Sequence, residues 1–159
     1  MLHELPIADW DAVMGVSLRG MFLVMKAVRP AMLRQKKGAI INTASVAGLM
    51  AGSEASSLAN AAPYGVAKHG VIGRTRHAAV AYARDGIRIN AIAPGAHLTR
   101  PLAVPREETA KVNDRLARYI PMGRLGHPSE IQGLAVYLAS DASSYVTGAT
   151  FVHDGGFTA

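Results

Sequence analysis

The sequence predicts an α/β fold, a parallel sheet with helices on both faces. Two observations carry this. Residues 39–43 are a continuous apolar run of strand length, and 87–93 read as a second buried strand. That is the pattern of parallel strands covered on both sides, not the alternation of a half-solvated strand. Long stretches with helical patterning, 10–35 and 64–84, precede the two strands. Such alternation of helix and strand builds a parallel sheet.

In chain order, Asp9 stands where it can cap a helix over 10–35. Val13, Val16, Met21, Leu23, Val24, Ala27, Val28 and Met32 give that helix a broad apolar face. Pro30 should bend it or remove one of its hydrogen bonds, and Lys37-Gly38 should stop it. The first strand follows, and at Ser45 its apolar run has given way to small residues, which marks a strand exit. Residues 46–63 are small, polar and rich in Gly, Ala and Ser, hence a loop. The helix over 64–84 ends at Asp85-Gly86, and the second strand ends at Pro94-Gly95. An irregular segment containing proline reaches Pro105, and a polar, exposed helix is expected over 106–119. Pro128 opens another helix at its first turn, running to about 140. Residues 150–152 make a last short strand. There is no internal repeat and no low-complexity tract.

At 159 residues the chain is at most one ordinary domain, long enough for a real core. Half the residues are apolar, as suits a globular α/β protein. There are no cysteines, which excludes disulfides and Cys-based metal sites and agrees with a reducing compartment; a cytoplasmic location is expected. The first residues show no basic region followed by an apolar one, so no signal peptide is expected. The apolar stretch near 21–32 is broken by Lys26, Arg29 and Pro30 and is no membrane span. A formal charge of +6 raises the question of nucleic acid. The basic residues are spread out, however, and the one cluster, Arg34-Gln35-Lys36-Lys37, falls at a helix end where cations suit the dipole. No nucleic-acid motif accompanies it, and no such partner is expected.

Tyr64 and Lys68 are four apart, so on a helix they share one face. With Ser45 they offer a phenol, an ammonium and a hydroxyl that can converge. A cation beside a phenol favours the phenolate, and a phenol tuned that way can exchange a proton with an alcohol or carbonyl near neutral pH. Tyr-x-x-x-Lys alone would equally describe a solvated helix face. Order along the chain adds to it: the strand ending in Ser45, the Tyr64/Lys68 helix, the strand Ile87-Arg88-Ile89-Asn90-Ala91-Ile92-Ala93 ending in Pro94-Gly95, Thr99 four residues past that glycine, then Val146-Thr147-Gly148 and Asp154-Gly155-Gly156. This succession resembles the short-chain dehydrogenase/reductase family from about Trp10 to Gly156.

The resemblance implies a Rossmann-like, doubly wound parallel sheet of which only the C-terminal half is present. Residues 1–159 would be a single, partial NAD(P)-binding domain. No G-x-G-x-x-G or T-G-x-x-x-G-I-G turn occurs to hold a pyrophosphate, and no residue that would read the adenosine ribose. Three strand–helix steps put the absent part at roughly 90 residues. By resemblance, Ser45 hydrogen-bonds the substrate oxygen, against the alternative of a serine capping a turn. Tyr64 is the general acid/base, against a core aromatic. Lys68 binds the nicotinamide ribose hydroxyls and eases proton loss from Tyr64, against a solvated lysine. Ser17, in Val16-Ser17-Leu18, stands where the family often has an Asn that holds a water in the proton relay. Ser17 stays a catalytic candidate by position, either holding that water less well or bonding back to its own helix.

Pro94, Gly95, His97 and Thr99 lie in the stretch resembling the family's nicotinamide-contacting loop, so with Tyr64 and Lys68 they are the candidate cofactor residues. His97 and His153 stand where aliphatic residues are usual. They read as ordinary exposed histidines, and no metal site is expected. Asn90 should tie its strand to nearby loops, and Asp154 with its two glycines should form a structural turn. Nineteen positions separate Ser45 from Tyr64, more than is usual, so 46–63 looks like an insertion. It is either a lip on the substrate side, since ligands bind at the carboxyl ends of such strands, or a segment without function.

The leading reading is an NAD- or NADP-dependent oxidoreductase interconverting a secondary alcohol and a ketone, with a small-molecule substrate, assembled as a homodimer or homotetramer through its two long helices. The alternative is a catalytically inactive fragment that keeps only the oligomerisation helices. A serine hydrolase fits poorly, because there is no G-x-S-x-G elbow.

Overall fold

A computed structural model describes residues 2–50, 61–99 and 108–159. The chain enters through helix α1 (Ile7–Met14), a π-helical segment (Gly15–Arg19) and α2 (Gly20–Gln35), which run on from one another. The helix begins before Asp9. Its N-cap is Pro6, whose fixed φ of −59° suits a helix entry, and no side chain caps it. Helix α2 continues through Pro30 and ends at Gln35 as expected, but the residue that stops it is not in the Lys37-Gly38 pair. Lys36 itself takes the left-handed conformation (φ 52°), while Gly38 opens the next strand. Lys37 pairs with Asp141 across the surface, Nζ to carboxylate 3.0 Å, which gives part of the basic cluster a place in the fold.

Strand β1 (Gly38–Thr43) is followed by a 3-10 turn (Val46–Gly48) and by helix α3 (Ala61–Tyr82). A short 3-10 turn then ends at Gly86, whose φ of 73° and near-contact with the Lys36 carbonyl leave no room for a side chain. Strand β2 (Ile87–Pro94), helix α4 (Thr109–Ala117), helix α5 (Gln132–Ala139) and strand β3 (Thr150–His153) complete the described chain. Most of the insertion expected over 46–63, and the start of the helix expected over 106–119, lie outside the described residues.

The sheet has the order β1-β2-β3 and both pairings are parallel. Thr43 sits opposite Ile92, so β1 and β2 leave the sheet side by side. Strand β2 is buried along nearly its whole length. Its Ile87 and Ile89 pack with Met25, Ala78 and Ala79 of α2 and α3, and Ala91 and Ala93 pack with Val71 and Ile72. The alternate residues point to the opposite face, as a strand requires. There Arg88 donates to the Leu138 and Ser140 carbonyls and to Ser143, and Asn90 bonds Val146 and Ala149. Asn90 thus has the tying role expected of it. Strand β1 departs from expectation. It is mostly half-buried rather than covered on both faces, because among the described residues it pairs only with β2 and forms an edge.

Candidate active site

The site is assembled where β1 and β2 end, at the carboxyl edge of the parallel sheet. The Ala44 amide still donates to Ile92 (2.8 Å), and the chain then turns at Ser45. Ser45 is buried, and its Oγ accepts from the Ala47 amide at 3.2 Å, capping the Val46–Gly48 turn. The capping and substrate-binding roles are compatible: a serine oxygen that accepts one hydrogen bond still has its own O–H to donate.

That turn lies against the start of α3. A Cβ built on Gly48 would fall 2.6 Å from the Lys68 carbonyl oxygen, and one on Gly65 would meet the Ala47 carbonyl at 3.5 Å. Gly48 therefore allows the Ser45 turn to rest on the helix that carries Tyr64 and Lys68, while a side chain at Gly65 would meet the turn at an ordinary contact distance. Those two side chains share a face, with Lys68 Nζ 5.4 Å from the Tyr64 ring centroid. Tyr64 is 40% exposed, so it is not a core aromatic. Lys68 is not a solvated lysine either. Its Nζ donates to the Thr43 carbonyl at 2.7 Å, at the end of β1, and burial pushes its ammonium below the ordinary lysine value. An ammonium has three donors, so this bond leaves others for a ligand.

Ser17 lies half-buried in the π-helical segment, whose Leu18 packs against Gly70 of α3. A π turn inside an α-helix frequently marks a functional position. Among the described residues no hydrogen bond joins Ser17 to Ser45, Tyr64 or Lys68.

Pro94 ends β2, and the Gly95 amide donates to the His153 carbonyl at 3.0 Å. Gly95 approaches Asp154 so closely that a Cβ there would come within 2.7 Å of the aspartate's Cβ. Thr99 is exposed, and its amide bonds the His97 carbonyl at 2.7 Å. His97 and His153 are not the exposed, separate histidines that sequence suggested. Both are partly buried; their rings lie 5.1 Å apart, and His97 Nε2 is 3.0 Å from His153 Nδ1. They are 56 positions apart, so no local spacing signals the contact. Asp154 forms the expected turn, accepting from the Gly156 amide and from the Thr158 amide and hydroxyl. Among the described residues no group of three or more His, Cys, Asp or Glu is placed to hold a metal.

One feature went unread in the sequence although a local signal exists. Glu130 lies three residues after His127 and closes a capping box, accepting from the His127 amide at 2.6 Å and from Arg124 at 2.8 and 2.9 Å. Arg124 first, and the His127 amide after it, hold its carboxyl down to about 2.

A parallel sheet with an alcohol, a phenol and an ammonium gathered at its carboxyl edge belongs to the Rossmann-like class. The comparisons with known proteins take this further. A family model described as enoyl-(acyl carrier protein) reductase matches residues 1–158. The chain belongs to this family of short-chain dehydrogenases and reductases. It is 42% identical over 156 residues to cyclohexanol dehydrogenase of Acinetobacter sp. (strain SE19), covering 98% of this chain and 57% of that protein. A gluconate 5-dehydrogenase from Burkholderia cenocepacia J2315, solved with NADP and tartrate, superposes with a TM-score of 0.88 at 37% identity, over 99% of this chain and 59% of that one. A 3-oxoacyl-[acyl-carrier protein] reductase from Brucella melitensis, solved with bound NAD, gives 0.81 at 35%, over 98% and 55%. The chain thus spans less than two thirds of these relatives and holds part of their fold. No described helix is long and apolar enough to cross a membrane.

Proposed function

We propose that Ser45, Tyr64 and Lys68 form the proton-transfer centre of an oxidoreductase that interconverts a secondary alcohol and a ketone. The observation that carries this reading is the seating of the Ser45 turn on α3, beside a half-buried lysine that stands 5.4 Å from the Tyr64 ring. Ser45 donates its O–H to the substrate oxygen. Tyr64 gives its proton to that oxygen in reduction and takes it back in oxidation. Lys68, held by the Thr43 carbonyl, keeps positive charge near the phenol as it ionises. The nicotinamide of NAD or NADP, when bound, supplies the hydride chemistry.

The residues present fit one end of such a cofactor. Lys68 has donors left for ribose hydroxyls, and the 94–99 loop, with Pro94, Gly95, His97 and Thr99, lies at the same sheet edge. Relatives solved with NADP and with NAD favour this cofactor class without choosing between the two. Tyr64→Phe, in a form of the protein that carries a pyrophosphate-binding segment, should lower turnover at least about a hundredfold, the usual worth of a general acid/base. Near-normal turnover would remove Tyr64 from the mechanism.

A second reading is that this chain by itself is inactive and keeps the assembly helices. The coverage of only 57% of the first relative favours it, as does the lack of a Gly-rich phosphate turn in the sequence. Calorimetry of the 159-residue chain against NAD and NADP separates the two: no measurable heat with either supports the inactive reading, and micromolar binding rules it out.

A further inference from the structure

His97 and His153 meet across 56 residues in a partly buried contact that the proton-transfer centre does not use. Hydrogen-bond chemistry fixes how the pair is wired. His97 Nδ1 lies 2.9 Å from the Gly95 carbonyl oxygen, which can only accept, so Nδ1 carries the hydrogen and donates. In the neutral ring Nε2 is then an acceptor. His153 Nδ1, 3.0 Å away, must therefore be the donor to it. The result is a directed chain from His153 through His97 to the Gly95 carbonyl, in the middle of the 94–99 loop. The surroundings hold the His97 ring in this pose. A Cβ on Gly126 would come within 2.8 Å of that ring, so the Gly126 backbone lies directly against it. The backbone there forms a parallel bridge between His97 and Gly126, with Leu98 N donating to Gly126 O (2.8 Å) and Gly126 N to Ala96 O (3.1 Å).

We propose that His153 is a positioning residue that acts through His97 to hold the 94–99 loop against the end of β3 and the Gly126 segment. Its significance for catalysis rests on the reading of that loop as the nicotinamide-facing one; the brace itself does not. The wiring also limits when it holds. With one extra proton shared by the pair, one nitrogen still accepts from the other and the contact survives. With two, both facing nitrogens bear hydrogens and both rings are cations, so the contact must open. The other charged and titratable groups around this pocket are Arg124, Glu130 and Asp154, with His127 in the neighbouring turn. Arg124 and Glu130 are paired with each other, and Asp154 is taken up by Gly156 and Thr158. Glu130 is close enough to His153 for a favourable charge interaction, but among the described residues none of the four hydrogen-bonds either imidazole ring.

Amide hydrogen exchange on the full 159-residue chain tests this without cofactor. His153→Val removes the donor and should speed exchange at Leu98 and Gly126 about five- to tenfold, the worth of one hydrogen bond. His153→Asn, whose side-chain NH2 can occupy the Nδ1 position, should restore most of the protection. The wild-type chain, read alone, should lose this protection in acid, after correction for intrinsic exchange, once both imidazoles are seen by NMR to be protonated; the Asn variant should keep it, because its amide can turn to present Oδ1 as acceptor to the protonated His97 Nε2. Three results would overturn the proposal: unchanged exchange in His153→Val, an Asn variant as fast as the Val variant, or wild-type protection that persists with both rings protonated. The last needs no variant to fold. Failure to bind NAD or NADP leaves these readouts intact, and their failure leaves the oxidoreductase reading intact.

Discussion

Lys68 is the residue on which the site converges. It touches the end of β1 through its ammonium, the Ser45 turn through its backbone and Tyr64 through its helical spacing. Ser17 is the residue whose place in the chemistry is most open to test. If a longer amide in the π-helical segment holds the relay water better than a hydroxyl does, Ser17→Asn in an active, longer form of the protein should raise turnover. Steady-state kinetics decides it, and an unchanged or lower rate would show that the relay is organised through another group. Gly48 offers a test that needs no activity. Gly48→Ala would place a methyl 2.6 Å from a backbone oxygen, which cannot swing aside. The Ser45 turn must lift from α3, at a cost of about 1–3 kcal/mol, typical of overpacking, measurable by denaturant unfolding.

At the scale of elements, β2 is the spine of the described sheet, paired on both sides and covered by α2 and α3 on one face. Ile89→Ala should therefore cost about 2–5 kcal/mol, the range for emptying a packed aliphatic site, and a shift in the urea midpoint would report it. The Pro128–Ile131 turn is held differently, by charge. The Glu130 carboxyl sits at about 2 in the folded chain against an ordinary value of about 4.3 when unfolded. A depressed folded value stabilises above the unfolded value, and that contribution is lost as pH falls from about 4.3 through about 2. Because both partners are exposed, the effect should be small and weaken with salt. Glu130→Gln should flatten the melting temperature against pH in that window, and an unchanged profile would remove the pair from the acid stability of the fold.

At the scale of the molecule, the outer surfaces of the long helices carry apolar side chains in the open. Val16 is 80%, Val24 63% and Val80 83% exposed. Unpartnered apolar residues on α2 and α3 and in the segment between α1 and α2 are what an assembly face presents. The expected state in solution is a dimer or larger. A monodisperse monomer by light scattering at micromolar concentration would defeat that expectation. Among the described residues β1 is a sheet edge, and an unpaired edge invites association between chains.

Much of this protein is local and therefore legible in its residues. The largely apolar stretches at 39–43 and 87–93 announce the strands of a parallel sheet, although only β2 is buried along nearly its whole length. A four-residue spacing places Tyr64 and Lys68 on one helical face whatever that helix later packs against. Ser45 declares itself by standing where the apolar run has ended. The capping residues were less legible, because Pro6 and Lys36 took the roles that Asp9 and Lys37-Gly38 seemed suited for. Only tertiary structure decided the rest. It set Gly48 against Lys68, bound the Lys68 ammonium to Thr43, left β1 at an edge and brought His97 to His153. Those relations join residues 20 to 56 positions apart. No periodicity of a single helix or strand extends that far, so they exist only once the sheet has fixed which chain segments lie side by side.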